Sequence, residues 1–127
     1  MQSSSNADIT FPTVQDVTTV VGSSEIIFGN ATVVPSTTIT TVVTHTVVGS
    51  TLYLDGFQLT GQVDGEITFV INTLIKMKIR SAEMDRNGVM IFPAPIKLTV
   101  GDIVDVKIEH FDTGTFTFNA TLFGHRS

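Results

Sequence analysis

The sequence predicts a single all-β domain, an antiparallel, jelly-roll-like sandwich of about eight strands preceded by an extended N-terminal arm. Three observations carry that expectation. Short β-favouring runs rich in Val, Ile, Thr and Phe recur along the chain, and turn residues (Gly, Pro, Asn, Asp) separate them at intervals of about 8–12 residues. Within the runs, apolar and polar side chains alternate with period two. No stretch carries a convincing helical period; Ser81–Arg86 is short and polar, ends at Asn87-Gly88, and reads as a loop.

Residues 1–16 are Ser/Asn/Asp-rich with one Phe11-Pro12 step and read as the arm, residues 17–127 as the sandwich. The predicted strands are Val17–Val21, Glu25–Val34, Ser36–Val48 (bounded by Pro35 and Gly49) and Thr51–Thr60. After the Asp64-Gly65 turn signal, Glu66–Asn72 and Ile75–Ser81 form a hairpin about Thr73-Leu74. Asn87-Gly88 is a strong type I′ signal, followed by Val89–Phe92 and Ile96–Val100 on either side of Pro93 and Pro95. Gly101-Asp102 leads into Ile103–Phe111, and Asp112-Thr113-Gly114 into Thr115–Phe123. Val104, Val106, Ile108 and His110 share one face, as do Phe116, Phe118, Ala120 and Leu122; Ile67, Phe69 and Ile71; and Ile75, Met77 and Ile79.

Composition narrows the function. Residues 1–75 hold six acids and no Lys or Arg, whereas all seven basic residues lie from Lys76 onward beside six further acids, giving charges of −6 and +1. A phosphate backbone calls for a basic footprint, so nucleic-acid binding is not expected. Nothing approaches the roughly 18 apolar residues of a membrane span. The polar first eight residues have neither the basic nor the apolar region of a secretory leader, so synthesis in the cytoplasm is expected. The absence of cysteine removes disulfides and thiolate metal sites.

Catalytic chemistry finds little to work with. No Gly-x-Ser-x-Gly elbow is present, and His45, His110 and His125 lack ligand spacing. His45 is expected half-buried, and His110 is expected to bond a neighbouring backbone group. Asp64 with Glu66 and Asp102 with Asp105 cluster at turns without a calcium-loop pattern, and an aspartate there ordinarily bonds its own backbone. With no Trp and only Tyr53, a sugar-stacking platform is not evident. No cofactor, metal or enzymatic activity is therefore expected. Lys76, Lys78 and Arg80 form the one basic stripe, either a solvated, aggregation-resistant strand face or a contact for an acidic patch, including the acidic first part of a neighbouring copy. Asn30-Ala31-Thr32 and Asn119-Ala120-Thr121 match the glycosylation pattern and, with no leader expected, are expected to be incidental.

From Thr37 to Gly124 the chain resembles small β-sandwich virion proteins of tailed bacteriophages. The stretches that carry the likeness are TTITTVVTHTVVGSTLYLDGFQLTGQVDGEITFVIN, KMKIR and FPAPIKLTVGDIVDVKIEHFDTGTFTFNATLFG. These are turn and core motifs, so they speak for fold more than for function. The resemblance implies a virion component made in the host cytoplasm. It would be a head decoration (cement) protein docking on the major capsid protein or another virion protein, or else a tail or fibre module binding a receptor or glycan through loops near Asp64 and Asp112. It also implies a homo-oligomer with three-fold symmetry and transfers no catalytic residue. Ile9, Phe11 and Val14, the main apolar side chains of the arm, are the expected docking anchors.

Overall fold

A computed structural model describes residues 24–84 and 87–126. The described residues form eight strands: β1 (Ser24–Val34), β2 (Thr40–Thr46), β3 (Leu52–Gly61), β4 (Glu66–Ile71), β5 (Leu74–Arg80), β6 (Val89–Leu98), β7 (Ile103–Glu109) and β8 (Phe116–Arg126). They build two antiparallel four-stranded sheets, ordered β1-β8-β3-β6 and β2-β7-β4-β5, which is the strand order of an eight-stranded jelly roll.

The alternation read from the sequence explains why the sheets stack. Leu52, Leu54, Phe57, Phe118 and Leu122 from one sheet meet Ile67, Phe69, Val104, Val106 and Ile108 from the other, all essentially without solvent exposure. Each such burial is worth about 1.5–3 kcal/mol. Phe57, Phe69 and Phe92 form an aromatic knot, with ring centroids 5.3–6.1 Å apart. At one corner β1 crosses β2 so closely that a Cβ on Gly29 would lie 2.3 Å from the Val42 carbonyl oxygen, so only glycine fits.

The last strand runs on past the expected Phe123 to Arg126, and four further differences from the sequence reading have a physical reason. Ser36–Val48 shortens to Thr40–Thr46, because Thr37 turns with φ +57° and gives its N–H to the His110 carbonyl. The hairpin turn falls on Asn72-Thr73, both at positive φ, one residue earlier than expected. The two runs around Pro93 and Pro95 join into the single strand β6; it lies at a sheet edge, and its pairing with β3 jumps from Ile91 to Ile96, so both prolines fall where the ladder is interrupted and no bond is lost. Finally, a bulge opposite Phe69/Val70 shifts β5, so Met77 and Ile79 pack against the core while Ile75 turns outward, 59% exposed. Ser81–Glu83, read as loop, is one 3-10 turn. The Val17–Val21 run and the arm lie outside the described residues.

Candidate docking surface

The ionisable groups mostly tie the fold together. At the start of β1, Glu25 takes a two-pronged contact from Arg126 at 2.5 and 2.9 Å, and Arg126 also donates to the carbonyls of Val48 and Ser50. The Arg126 hydrogen bond holds the Glu25 carboxyl below its ordinary range. His45, half-buried as expected, places Nε2 4.0 Å from Glu25 Oε2. Beside this cluster, His125 Nδ1 lies 2.9 Å from Asp55, and its ring stacks on Tyr53. Among the described residues neither histidine meets a side-chain hydroxyl, and no group of three His, Asp or Glu is placed to hold a metal ion.

His110 is fully buried at the end of β7, with Nε2 2.7 Å from the Val34 carbonyl. A carbonyl only accepts, so Nε2 carries the proton, and Nδ1 is a buried acceptor without a partner. Of the turn acids, Asp102 bonds its own turn as expected but also a distant one, and Asp64 bonds a distant side chain. Asp102 accepts from the Asn72 amide at 2.9 Å and the Thr99 N–H at 2.8 Å, which lowers its pKa. Asp64 accepts from the Ser81 hydroxyl and faces Arg80 at 3.9 Å. Asp112 is exposed in the β7–β8 loop at the same end as Asp64.

What the fold leaves open is the outer face of the β1-β8-β3-β6 sheet. Strand register places Ile26, Phe123, Gly56 and Ile91 in one line across all four strands. Ile26 is 73% and Ile91 69% exposed, and the Met90 carbonyl and the Phe123 ring edge together occupy the space that a Gly56 side chain would need. The next line runs Phe28, Thr121, Gln58 and Val89, with Phe28 65% exposed, and the one after holds Asn30 hydrogen-bonded to Asn119 beside Thr60. Phe28, Gln58, Thr60, Asn119 and Thr121 line a groove of about 330 Å³ on this face. The two glycosylation-pattern asparagines thus face each other across a strand pair.

The basic stripe lies on β5, an edge of the other sheet. Lys78 and Arg80 sit opposite Thr68 and Glu66, and Lys76 falls in the bulge. Lys78 faces Glu66 at 3.9 Å, and the Arg80 guanidinium lies 5.8 Å from the Phe111 ring centroid. Ile9, Phe11 and Val14 lie outside the described residues. The apolar line on the first sheet escaped sequence reading, because its members are far apart in the chain and only the register aligns them; the one available signal was the run of unalternated apolar residues in Ile26, Ile27 and Phe28.

No family model matches the chain, and comparisons with curated proteins and with solved structures give no match.

Proposed function

We propose that this protein is a structural component of a tailed-bacteriophage virion, a decoration protein that binds the assembled head and stabilises it by bridging major capsid subunits. The reading is supported by the apolar line Ile26–Phe123–Gly56–Ile91 with Phe28 beside it, which stands uncovered on a well-packed sandwich. A contiguous apolar patch of this kind on a soluble domain marks a contact surface. It joins the resemblance in the turn and core motifs between Thr37 and Gly124. The mechanism is mass action: a module that binds the closed shell and not the opened one adds its binding free energy to shell stability. Ile9, Phe11 and Val14 of the arm are the second set of anchors, and three copies around a symmetry axis would present three such faces together.

The test is decoration of purified particles lacking the protein. Wild-type chain is expected to bind and to raise the temperature at which the heads release DNA. Ile26→Lys/Ile91→Lys, which alters only exposed positions, and deletion of residues 1–16 should each fold normally yet bind at least tenfold more weakly. Undiminished decoration by both variants would overturn the reading.

A second reading, a tail or fibre module that binds a glycan, is favoured by the groove beside Phe28, where one aromatic wall adjoins the amide and hydroxyl groups of Gln58, Thr60, Asn119 and Thr121. That chemistry suits a neutral sugar ring. Binding on a glycan array that Phe28→Ala abolishes would move the assignment from head to tail.

A further inference from the structure

The outer face of the other sheet carries a groove of about 250 Å³ lined by Ile39, Thr68, Val70, Thr73, Ile75, Lys78, Asp105 and Lys107. Register gives it two lines. Lys78, Thr68 and Lys107 lie side by side on β5, β4 and β7; two residues along, Ile75, Val70 and Asp105 do the same. The two lysines therefore straddle Thr68 with Cα atoms about 10 Å apart, two strand spacings. Thr68 is 92% buried, and its hydroxyl has no hydrogen-bond partner among the described residues. Lys107 has no ion pair among them, and the Lys78–Glu66 contact at 3.9 Å is long and half exposed, worth little. Asp105 stands one line away on one side, and Glu66 and Glu109 on the other, where Glu66 is flanked by Arg80. The groove lining itself holds two ammonium groups to one acid over a spare hydroxyl, a balance that asks for a carboxylate. Ile39 and Ile75, each 59% exposed, and Val70 ask for an aliphatic side chain about 7 Å from it, the spacing of alternate residues in an extended chain.

The 23 residues that precede β1 hold no cation, and in them an acid and an aliphatic residue stand two apart only once, at Val14-Gln15-Asp16. Ser24, where β1 begins, is at the right end of the sandwich. Its neighbour Glu25 faces His45, His45 pairs with Val104, and Val104 pairs with Ile71, next to the Asn72-Thr73 turn at the groove's mouth. Asp16 is eight residues before Ser24, a span of up to about 26–29 Å. That length allows passage over the end of a sandwich about 10 Å thick and two strands sideways. A tether this short gives the intrachain contact an effective concentration that a separate molecule rarely matches.

We propose that Asp16 of the same chain docks its carboxylate between Lys78 and Lys107, with Val14 on Val70 and Ile75. The groove is a latch for the arm; it takes Val14 out of the docking set proposed above and fixes the point from which Ile9 and Phe11 depart. The latch stands whether or not the chain belongs to a virion.

Zero-length carbodiimide coupling of the full-length protein, which joins a carboxylate to an amine only where they already touch, tests it directly, with mass spectrometry of the monomer band. The Glu66–Lys78 link is the internal control. An Asp16–Lys78 or Asp16–Lys107 link at least as abundant as that control, and reduced severalfold in 1 M salt, is the expected result. Amide NMR signals of Thr68, Val70 and Ile75 should shift in Asp16→Asn, whereas those of Gln58 and Thr121 on the opposite face should not. The control link without an Asp16 link, a link from Asp8 in its place, or Asp16 links confined to dimers would each overturn the proposal.

Discussion

Val33 and His110 show how one strained residue serves a buried one. Val33 has φ +57°, a region that costs a β-branched side chain about 1–2 kcal/mol, and it does so at 66% exposure, where its methyl groups gain little. The irregularity it makes in the β1–β8 pairing lies next to Val34, whose carbonyl accepts the His110 Nε2–H. The imidazole is wedged between Phe116, edge-on at 5.1 Å, and Phe118, stacked at 5.9 Å. Two outcomes follow. Val33→Asn should raise stability by about 1 kcal/mol in urea denaturation, because asparagine tolerates the left-handed region. His110→Leu should lower it by about 2–4 kcal/mol, since a buried carbonyl loses its donor and the aromatic packing is disturbed. A stabilised His110→Leu would mean that the unpartnered Nδ1 costs more than the Val34 bond returns.

At the scale of elements, the turns do much of the specification. Asn72 combines φ +51° with two side-chain bonds that span 30 and 31 residues: Nδ2 donates to Asp102 Oδ1, and Oδ1 accepts the Ile103 N–H. It thereby joins the β4–β5 hairpin to the start of β7. Asn72→Gly keeps the backbone freedom and loses the bonds, whereas Asn72→Ala loses both, so Ala should be the less stable by about 1 kcal/mol in parallel thermal or urea melts. The strands and their facing were largely legible in the sequence, because alternation is a local signal: Val104, Val106, Ile108 and His110 are buried as read, and so are Phe118, Ala120 and Leu122. What could not be read depends on partners distant in the chain. That Pro93 and Pro95 sit inside one strand follows from its edge position and the break in its pairing between Ile91 and Ile96, and the outward turn of Ile75 follows from a bulge, none of which periodicity encodes. Of the candidate surfaces, the Lys78 and Arg80 stripe was visible as alternation, whereas the facing of Lys107 onto Lys78 across Thr68 and the line from Ile26 to Ile91 needed the register of whole sheets.

For the whole molecule, charge gathers at the end where β1 begins and β8 finishes. Glu25 and Asp102 are both held below their ordinary carboxyl range, Glu25 by Arg126 and Asp102 by Asn72 and Thr99. A carboxyl depressed in the folded state adds stability above its unfolded value, 4.5 for Glu25 and 3.8 for Asp102, and that stability drains as pH falls through the folded pKa. The melting temperature should therefore be level with respect to these two groups from neutrality to about pH 5 and decline below it. Glu25→Gln and Asp102→Asn should each flatten the decline when melts are compared across pH 2–7, and an unchanged acid slope in the double variant would show that other groups govern it.

Because Ser24 lies beside His125, the first and last of the described strands enter and leave at one pole, while the Asp112–Gly114 loop occupies the other, about 35 Å away along β8. A foreign epitope spliced between Thr113 and Gly114 would thus stand far from Ser24 and the Arg126 clamp, which recommends that loop as the insertion site for using this sandwich as a display carrier.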